Sequence, residues 1–498
     1  MGILFASAAS SLENARAIKA GRLRKVAPKL FTDDLKSPAE EIVRRHRLEI
    51  AAHFYPGAII SHRSALENNV SPGGRLHLTL PGAVAPVRQL PGLEIRIWRG
   101  PAAQCGPNAL PNDSRIPVAE GLELFQSGQV RAVLENLQIA RAHGDDEPKT
   151  LSDKQLELWL DRYLRIFGWR WLKELHEQAQ GLAARLNWPR ELQELNQIVA
   201  AIRGEKNGRR LTTEVLRSRS HRKPFDPERL TLFGTLQARL AAERFAELPR
   251  PAAPEFENRA FWEAYFSNFI EGTKFTVEEA RAIVYDPQAA KALEHKRPDD
   301  AHEVRETYRL IIDPKISGEV PRDASHLLEL LKRRHARMMA SRLAIEPGVF
   351  KKTNNEFGSR VFVAPELVTE TLARGWQAIH DLPHATARAL YMLFLIAEVH
   401  PFNDGNGRIS RLGMNAELEA AGQARLVLST SLRNDYLTVL EALTANGNFE
   451  PFITFAHKLI DLNSRMPVGS FDESLAYFRR TGALDEQAVN FGLISAMK

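Results

Sequence analysis

The chain of 498 residues contains one cysteine, Cys105. No disulfide can form within it, and a zinc site built from cysteines is excluded. Long apolar runs are just as scarce. The longest spans 389–397 and is closed by Glu398, whereas a membrane-spanning helix needs about 20 residues. A strong excess of one charge is also missing: 67 Lys and Arg less 61 Asp and Glu leaves +6, compatible with a polyanionic partner without requiring one. No repeat of fixed period runs through the sequence. The opening stretch MGILFASAASSLENAR has no positive residue ahead of its short apolar part, and Ala6 stands where a myristoylation signal takes Ser or Thr. The expectation is a cytoplasmic protein with no membrane partner. What is present, 44% apolar and 26% charged residues, describes ordinary globular domains, two to four of them at roughly 100–200 residues each.

Along the chain, 12–20 reads as a short helix, 23–31 as a hairpin and 38–54 as a second helix. Six basic residues and no acidic one lie between Arg16 and Lys29. Pro-Gly pairs then punctuate short runs, and the alternation in Leu93-Glu94-Ile95-Arg96-Ile97-Trp98 predicts a half-buried strand. The first hundred residues thus predict a small α+β unit. Helical patterns follow at 118–137 and 151–186, separated by an exposed link at 143–148. Within the second pattern Trp159, Tyr163, Phe167, Trp171 and Leu175 recur every four residues, the spacing of a packed core face. The basic stretch 203–223 reads as a solvated face. Pro249, Pro251 and Pro254 mark a linker. Beyond it the chain reads as helical, apart from a turn-rich hairpin at 348–364.

The richest chemistry lies in His400-Pro-Phe-Asn-Asp-Gly-Asn-Gly-Arg-Ile-Ser-Arg411. The preceding stretch, 385–399, is apolar almost all round, so it predicts a helix buried within a bundle, with a rigidly held end. Pro401 stops that helix. Gly405, Asn406 and Gly407 let successive N–H groups converge on an anion, and a helix beginning at Arg408 adds its positive N-terminus at the same spot. Arg408 and Arg411, three apart, share a face and supply two guanidinium forks, which suits a polyphosphate. Asp404 is a hard oxygen ligand for magnesium shared with substrate phosphates. His400 can accept a proton from a hydroxyl, since a free imidazole titrates near neutrality.

These twelve residues resemble the signature of the Fic domain family, H-x-F-x-[DE]-G-N-G-R-x-x-R, with every fixed position filled. The resemblance implies a mainly α fold with a helical bundle and a small β-hairpin flap, which here is 348–364. The flap would lay a target segment beside the nucleotide by strand addition. The resemblance also makes His400 the general base, Phe402 a core anchor of the loop and Asp404 the magnesium ligand. Gly405, Asn406 and Gly407 become the anion hole, with Asn406 and Arg408 on the phosphates and Arg411 on the γ-phosphate. The implied reaction is AMPylation, in which a Ser, Thr or Tyr hydroxyl of a protein, which can be the enzyme itself, attacks the α-phosphate of ATP.

Ser267-Asn-Phe-Ile-Glu-Gly272 is similar to the family's inhibitory motif, [ST]-x-x-x-E-[GN], placed ahead of the catalytic motif. That likeness implies that Glu271 pairs with Arg411 and keeps the γ-phosphate out, with Ser267 and Gly272 completing the motif. An alternative within the same likeness is removal of AMP, with Glu271 as base for water. The front half resembles AbiEi-type antitoxin regulators with an N-terminal winged helix, through 18–31, Tyr55-Pro-Gly-Ala-Ile-Ile-Ser-His-Arg-Ser64 and Arg115-Ile-Pro-Val118. It implies a DNA-binding regulator in which the nucleotide site is a switch; a protein-docking unit with a solvated basic face stays open beside it. The expected layout is a winged-helix-like α+β domain at 1–110, a helical segment at 111–225, a linker region at 226–255, a catalytic domain at 256–465 and an extension at 466–498.

Overall fold

The computed structural model describes residues 2–6, 11–82, 86–105, 113–140, 147–357 and 360–485. The chain divides into two compact units, Met1–Arg222 and Lys223–Lys498. Helix dominates both, and among the described residues no helix is long and apolar enough to cross a membrane.

The first unit carries two sheets. Ile3–Phe5, Leu30–Thr32 and Arg24–Ala27 form an antiparallel three-stranded sheet in that order, so the hairpin expected at 23–31 is present. Six strands form a mixed sheet in the order Arg88–Leu90, Leu93–Arg99, Arg75–Leu80, Ala58–Ile60, Leu124–Gln126 and Ser114–Arg115. The alternation read at 93–98 is realised: Leu93, Ile95 and Ile97 are buried and the residues between them are half-buried. The helical pattern at 118–137 is only partly helix. Leu124–Gln126 joins the sheet, parallel to Ala58–Ile60, and the helix starts at Gln129 after Gly128. Since this sheet runs to residue 126, it continues past the position 110 at which the sequence reading ended the α+β domain.

The long helix Asp153–Leu186 opens with a capping box from Ser152 to Gln155 and is interrupted at Gly168, whose φ of 73° is left-handed. Its aromatic stripe is half core and half surface. Leu175 is buried, whereas Phe167 is 57% exposed. Trp159 and Trp171 are half-buried against the core, and Tyr163 stacks on Trp159 with ring centroids 4.1 Å apart. The link read at 143–148 lies largely outside the described residues.

In the second unit the residues read as linker, 226–255, build structure. Pro227–Ala242 is a helix capped by Asp226, and its Phe233, Leu236 and Leu240 are buried in the bundle core. Pro254 falls in the first turn of the helix Ala253–Ile270. Proline is tolerated there because the first amides of a helix have no internal partner; the same residue that suggested a linker therefore starts a helix. In the stretch read as an extension, Phe471–Thr481 is a helix that buries Leu475 and Phe478 in the same core; 486–498 lie outside the described residues.

At the centre runs Ala385–Val399, buried at every position except Arg388. Asn406–Ala420, Val368–Gln377 and Pro227–Ala242 pack against it. The approach of Val368–Gln377 is close because Gly375 has no side chain: a Cβ there would lie 2.7 Å from Leu395 Cδ1 and 2.9 Å from Phe233 Cδ2. The Tyr391 hydroxyl donates to the Gly375 carbonyl across this gap at 2.5 Å. Gly375→Ala is expected to destabilise the protein by about 1–3 kcal/mol through overpacking, read as a lowered denaturation midpoint in urea with an unchanged slope.

Candidate active site

His400 ends the central helix in a left-handed conformation, φ 54° and ψ 60°. A non-glycine residue holds such angles at a cost and only where its surroundings fix it. The fixings are visible. The Phe362 ring from the flap lies on the imidazole with centroids 3.8 Å apart and planes within 13°. His400 Nδ1–H donates to the Ala397 carbonyl at 3.3 Å. This leaves Nε2 as the ring nitrogen with a free lone pair. Burial pulls the His400 pKa down to about 4; the Ala397 carbonyl opposes the shift, while Lys351 and Arg360 reinforce it. The imidazole is therefore neutral, the form that accepts a proton.

The loop from Pro401 to Gly405 is held by its own polar groups. Asn406 spends its side chain on Phe402: Oδ1 accepts from the Phe402 N–H at 2.8 Å and Nδ2 donates to the Phe402 carbonyl at 2.8 Å. Its side chain is thus a staple, and what it offers an anion is its backbone N–H. Phe402 is fully buried and stacks face to face on His335 at 3.8 Å. His335 takes the Gly348 N–H on Nδ1 at 2.8 Å and donates Nε2–H to the Asp404 carbonyl at 3.0 Å. Burial holds its pKa near 4, so it stays in this one tautomer.

Gly405 has a φ of 75° and opens the helix Asn406–Ala420, whose first-turn amides point into the site without intrahelical partners. Glu271 reaches this opening from the end of the helix Ala253–Ile270. A Cβ at Gly407 would collide with Glu271 Oε1, so the glycine is what admits an oxygen to the helix N-terminus. Arg411 is held by three contacts from the segment 267–272: Nε to the Ser267 hydroxyl at 3.0 Å, Nη2 to the Ser267 carbonyl at 2.9 Å and Nη2 to Glu271 Oε1 at 2.7 Å. Its Nη1 is buried without a partner. Burial raises the Glu271 pKa, but Arg411 and then Arg408 outweigh it, and the net shift is downward. The carboxylate is ionised. Gly272, at φ 98°, turns the chain away after it.

Arg408 faces inward too. Its Nη1 donates to Asn268 Oδ1 at 3.2 Å and pairs with Glu303, a carboxylate from the helix Pro298–Ile312 that is itself fully buried. Asp404 is exposed, and Oδ1 accepts the Gly405 N–H at 2.6 Å. One exposed carboxylate beside an anion nest fits a hard divalent cation that takes its other ligands from water and phosphate. Among the described residues there is no cluster of three or more His, Cys, Asp or Glu side chains able to hold a metal alone. The residues singled out in the sequence therefore lie around one helix start: His400, Asp404 to Arg408, Arg411, Ser267 and Glu271.

The flap is shorter than expected. Glu356–Phe357 pairs antiparallel with Arg360–Val361, and 358–359 lie outside the described residues. The segment 348–352 is no strand; Lys351 N–H instead donates to the Pro401 carbonyl at 2.9 Å. Sequence reasoning passed over Asn268, Glu303, His335, Lys351, Phe362 and Glu398. Only Glu398 carried a signal, as a charge ending an all-round apolar helix, where it must find a partner. Lys351 is 3% exposed, with Nζ on Asn355 Oδ1 at 2.6 Å and a pKa pulled down to about 7 by burial.

Residues 325–418 match the model of the Fic/DOC family, and the chain carries a Fic domain there. Similar curated proteins include the protein adenylyltransferase Fic of Nematostella vectensis, 28% identical over 214 residues, 41% of this chain and 49% of that protein. The protein adenylyltransferase Fic of Drosophila persimilis is 28% identical over 219 residues, 41% of this chain and 42% of that one. The chain thus spans just under half the length of these relatives. Among solved structures, a Fic domain containing signaling protein from Bacteroides thetaiotaomicron is 19% identical, covering 51% of this chain and 97% of that chain with a TM-score of 0.35.

Because burial holds both imidazoles neutral, His400 and His335 are expected to show no protonation by NMR at pH 5.5, where exposed histidines are mostly charged. Their folded pKa values lie below the unfolded value of about 6.5, so each lowers stability as pH falls from about 6.5 towards 4.

Proposed function

We propose that the protein transfers AMP from ATP to a Ser, Thr or Tyr hydroxyl of a protein, and that the segment carrying Glu271 restrains this activity. The observation that carries the reading is the ionised Glu271 carboxylate seated on Arg411, 2.7 Å away, at the N-terminus of the helix that follows His400. A helix start lined with free amides and a guanidinium is built for an anion. Here a side chain from the same chain fills it. The two relatives that carry the name protein adenylyltransferase support the choice of ATP and of a protein acceptor.

In this mechanism His400 Nε2 takes the proton from the attacking hydroxyl. The hydroxyl oxygen bonds to the α-phosphorus as the bond from that phosphorus to the bridging oxygen breaks, and pyrophosphate leaves with the electron pair. The amides of Asn406, Gly407 and Arg408 hold phosphate oxygens, and Arg411, once free of Glu271, holds the γ-phosphate. Asp404 would hold magnesium, which supplies neutralisation of the charge on the leaving pyrophosphate. Most of the acceleration is positional and electrostatic. Arg408, tied to buried Glu303, positions the helix start and adds its charge from beneath.

A second reading concerns the first unit and rests on a different observation. Arg16, Lys19, Arg22, Lys25 and Lys29 are exposed on the helix Ser11–Lys19, the turn after it and the hairpin. We propose that this face contacts DNA phosphates in the manner of a winged helix. Retention of duplex DNA by the full-length protein is expected to weaken steeply between 50 and 200 mM salt, as counterion release requires of a multi-phosphate contact; retention independent of salt contradicts it.

Glu271→Gly removes a charge-assisted hydrogen bond of about 1.5–3 kcal/mol, so self-labelling with ATP and magnesium is expected to rise roughly 10–100-fold. The measurement is an AMP adduct in the intact mass spectrum. Adding His400→Ala is expected to lower the rate about 10²–10⁴-fold. No adduct from the Glu271→Gly protein, on itself or on lysate proteins, contradicts the reading.

A further inference from the structure

The flap is rooted by more than its two short strands. Glu398 lies two residues before His400 on the central helix and is fully buried. Three groups converge on it. Arg360, on the second flap strand, pairs with Oε2. Arg229, from the helix Pro227–Ala242, pairs with Oε1 at 2.8 Å. The Thr444 hydroxyl donates to Oε2 at 2.7 Å. Arg229 also donates Nη2–H to the Val361 carbonyl at 3.1 Å. Glu398 therefore grips the second flap strand directly through Arg360 and, through Arg229, by its backbone.

The next residue in the chain is Phe362, the ring that lies on His400 at 3.8 Å, and the Arg360 guanidinium carbon sits 4.9 Å from the centre of that ring. The contacts thus form a closed path: Glu398 to Arg360, Arg360 to Phe362, Phe362 to His400, and two residues of helix back to Glu398. The other root of the flap meets the same residue, since the Asn355 carbonyl accepts the Phe362 N–H at 3.4 Å and the Lys351 ammonium lies 5.8 Å from the centre of the Phe362 ring. Asn355 Nδ2 donates to the Phe402 carbonyl at 2.9 Å, and the Lys351 ammonium holds Asn355.

We propose that Glu398 is a positioning residue that fixes the flap strand and, through Phe362, the His400 imidazole, so that an acceptor hydroxyl meets Nε2 in one geometry. A buried carboxylate is costly unless paired and hydrogen-bonded, and this one takes all its partners from elements other than its own helix. Its loss takes the shared carboxylate from both arginines at once and leaves the strand 360–361 only the Arg229 bond to the Val361 carbonyl. The consequence for transfer rests on the AMPylation reading; the mechanical part does not.

The test uses the full-length chain with Glu271→Gly as parent, and adds Glu398→Gln, Arg360→Gln or both. Amide exchange read by mass spectrometry on peptides covering 360–363 is expected to speed up about tenfold or more in each single variant, while peptides of 386–399 stay protected. Binding of a non-hydrolysable ATP analogue is expected to stay within about twofold, and the labelling rate to fall about tenfold. The double variant is expected to show little more than the larger single effect, since contacting residues are non-additive. Arg360→Gln covers the case in which Glu398→Gln fails to fold, because Glu398 then keeps Arg229 and Thr444. Unchanged exchange at 360–363 in a folded variant, or additive effects in the double, overturns the anchor. If exchange rises as expected but the parent never labels protein, the anchor stands and the AMPylation reading falls.

Discussion

The contact on which the account depends is between one carboxylate and one guanidinium. Glu271 and Arg411 meet where the helix Asn406–Ala420 begins, and their side chains are 27% and 4% exposed. Such a pair is unequal. The arginine belongs to the buried floor of the site and keeps one nitrogen without a partner, whereas the glutamate comes in over the rim, at the end of a different helix. Removing the rim partner leaves an uncompensated cation beside a row of free amides, a place that attracts a polyanion. The second motif arginine is bound differently. Arg408 pairs with Glu303 in the interior, out of solvent, and has no comparable way to be released. Of the two guanidinium groups three residues apart, one is paired from the rim and the other from the interior.

That frame is rigid because its polar groups are spent on one another. The central helix is buried on nearly all sides, so its end cannot move without the bundle. Asn406 and His335 together fasten the backbone of Phe402 and Asp404, and the Phe402 ring is clamped against His335. Beside the exposed Asp404 carboxylate, the His400 imidazole keeps its Nε2 lone pair free. Electrostatic preorganisation requires that donors be in place before charge develops, and the hydrogen bonds of the loop hold its backbone in that order.

Much of the site was legible before the structure, because its signals are local. A proline after an apolar run ends a helix, Gly-Asn-Gly bends the chain, and two arginines three apart share a face. The pairing of Glu271 with Arg411, 140 residues apart, followed only from the likeness of a short segment to a known motif; no periodicity contains it. Partners fixed by tertiary packing were not legible: Glu303 on Arg408, Phe362 on His400 and Asn268 on Arg408 each join elements distant in sequence. The proline-rich stretch was misread for a physical reason, since proline ends one helix and begins another with the same fixed φ. The aromatic stripe at 159–175 was read as core from its spacing alone. Gly168 breaks the helix directly after Phe167, the exposed ring of the stripe, whereas Trp159, Tyr163 and Trp171 on either side of the break are half-buried.

The central claim is that the triphosphate of ATP and the Glu271 carboxylate compete for one helix N-terminus. Its most direct test is a crystal structure of the Glu271→Gly protein with magnesium and a non-hydrolysable ATP analogue. The account predicts phosphate oxygens within hydrogen-bond reach of the amides of 406–408 and the γ-phosphate on Arg411, with the α-phosphate facing His400 Nε2. A nucleotide bound elsewhere, or one whose phosphates avoid Arg411 with Glu271 gone, would contradict it.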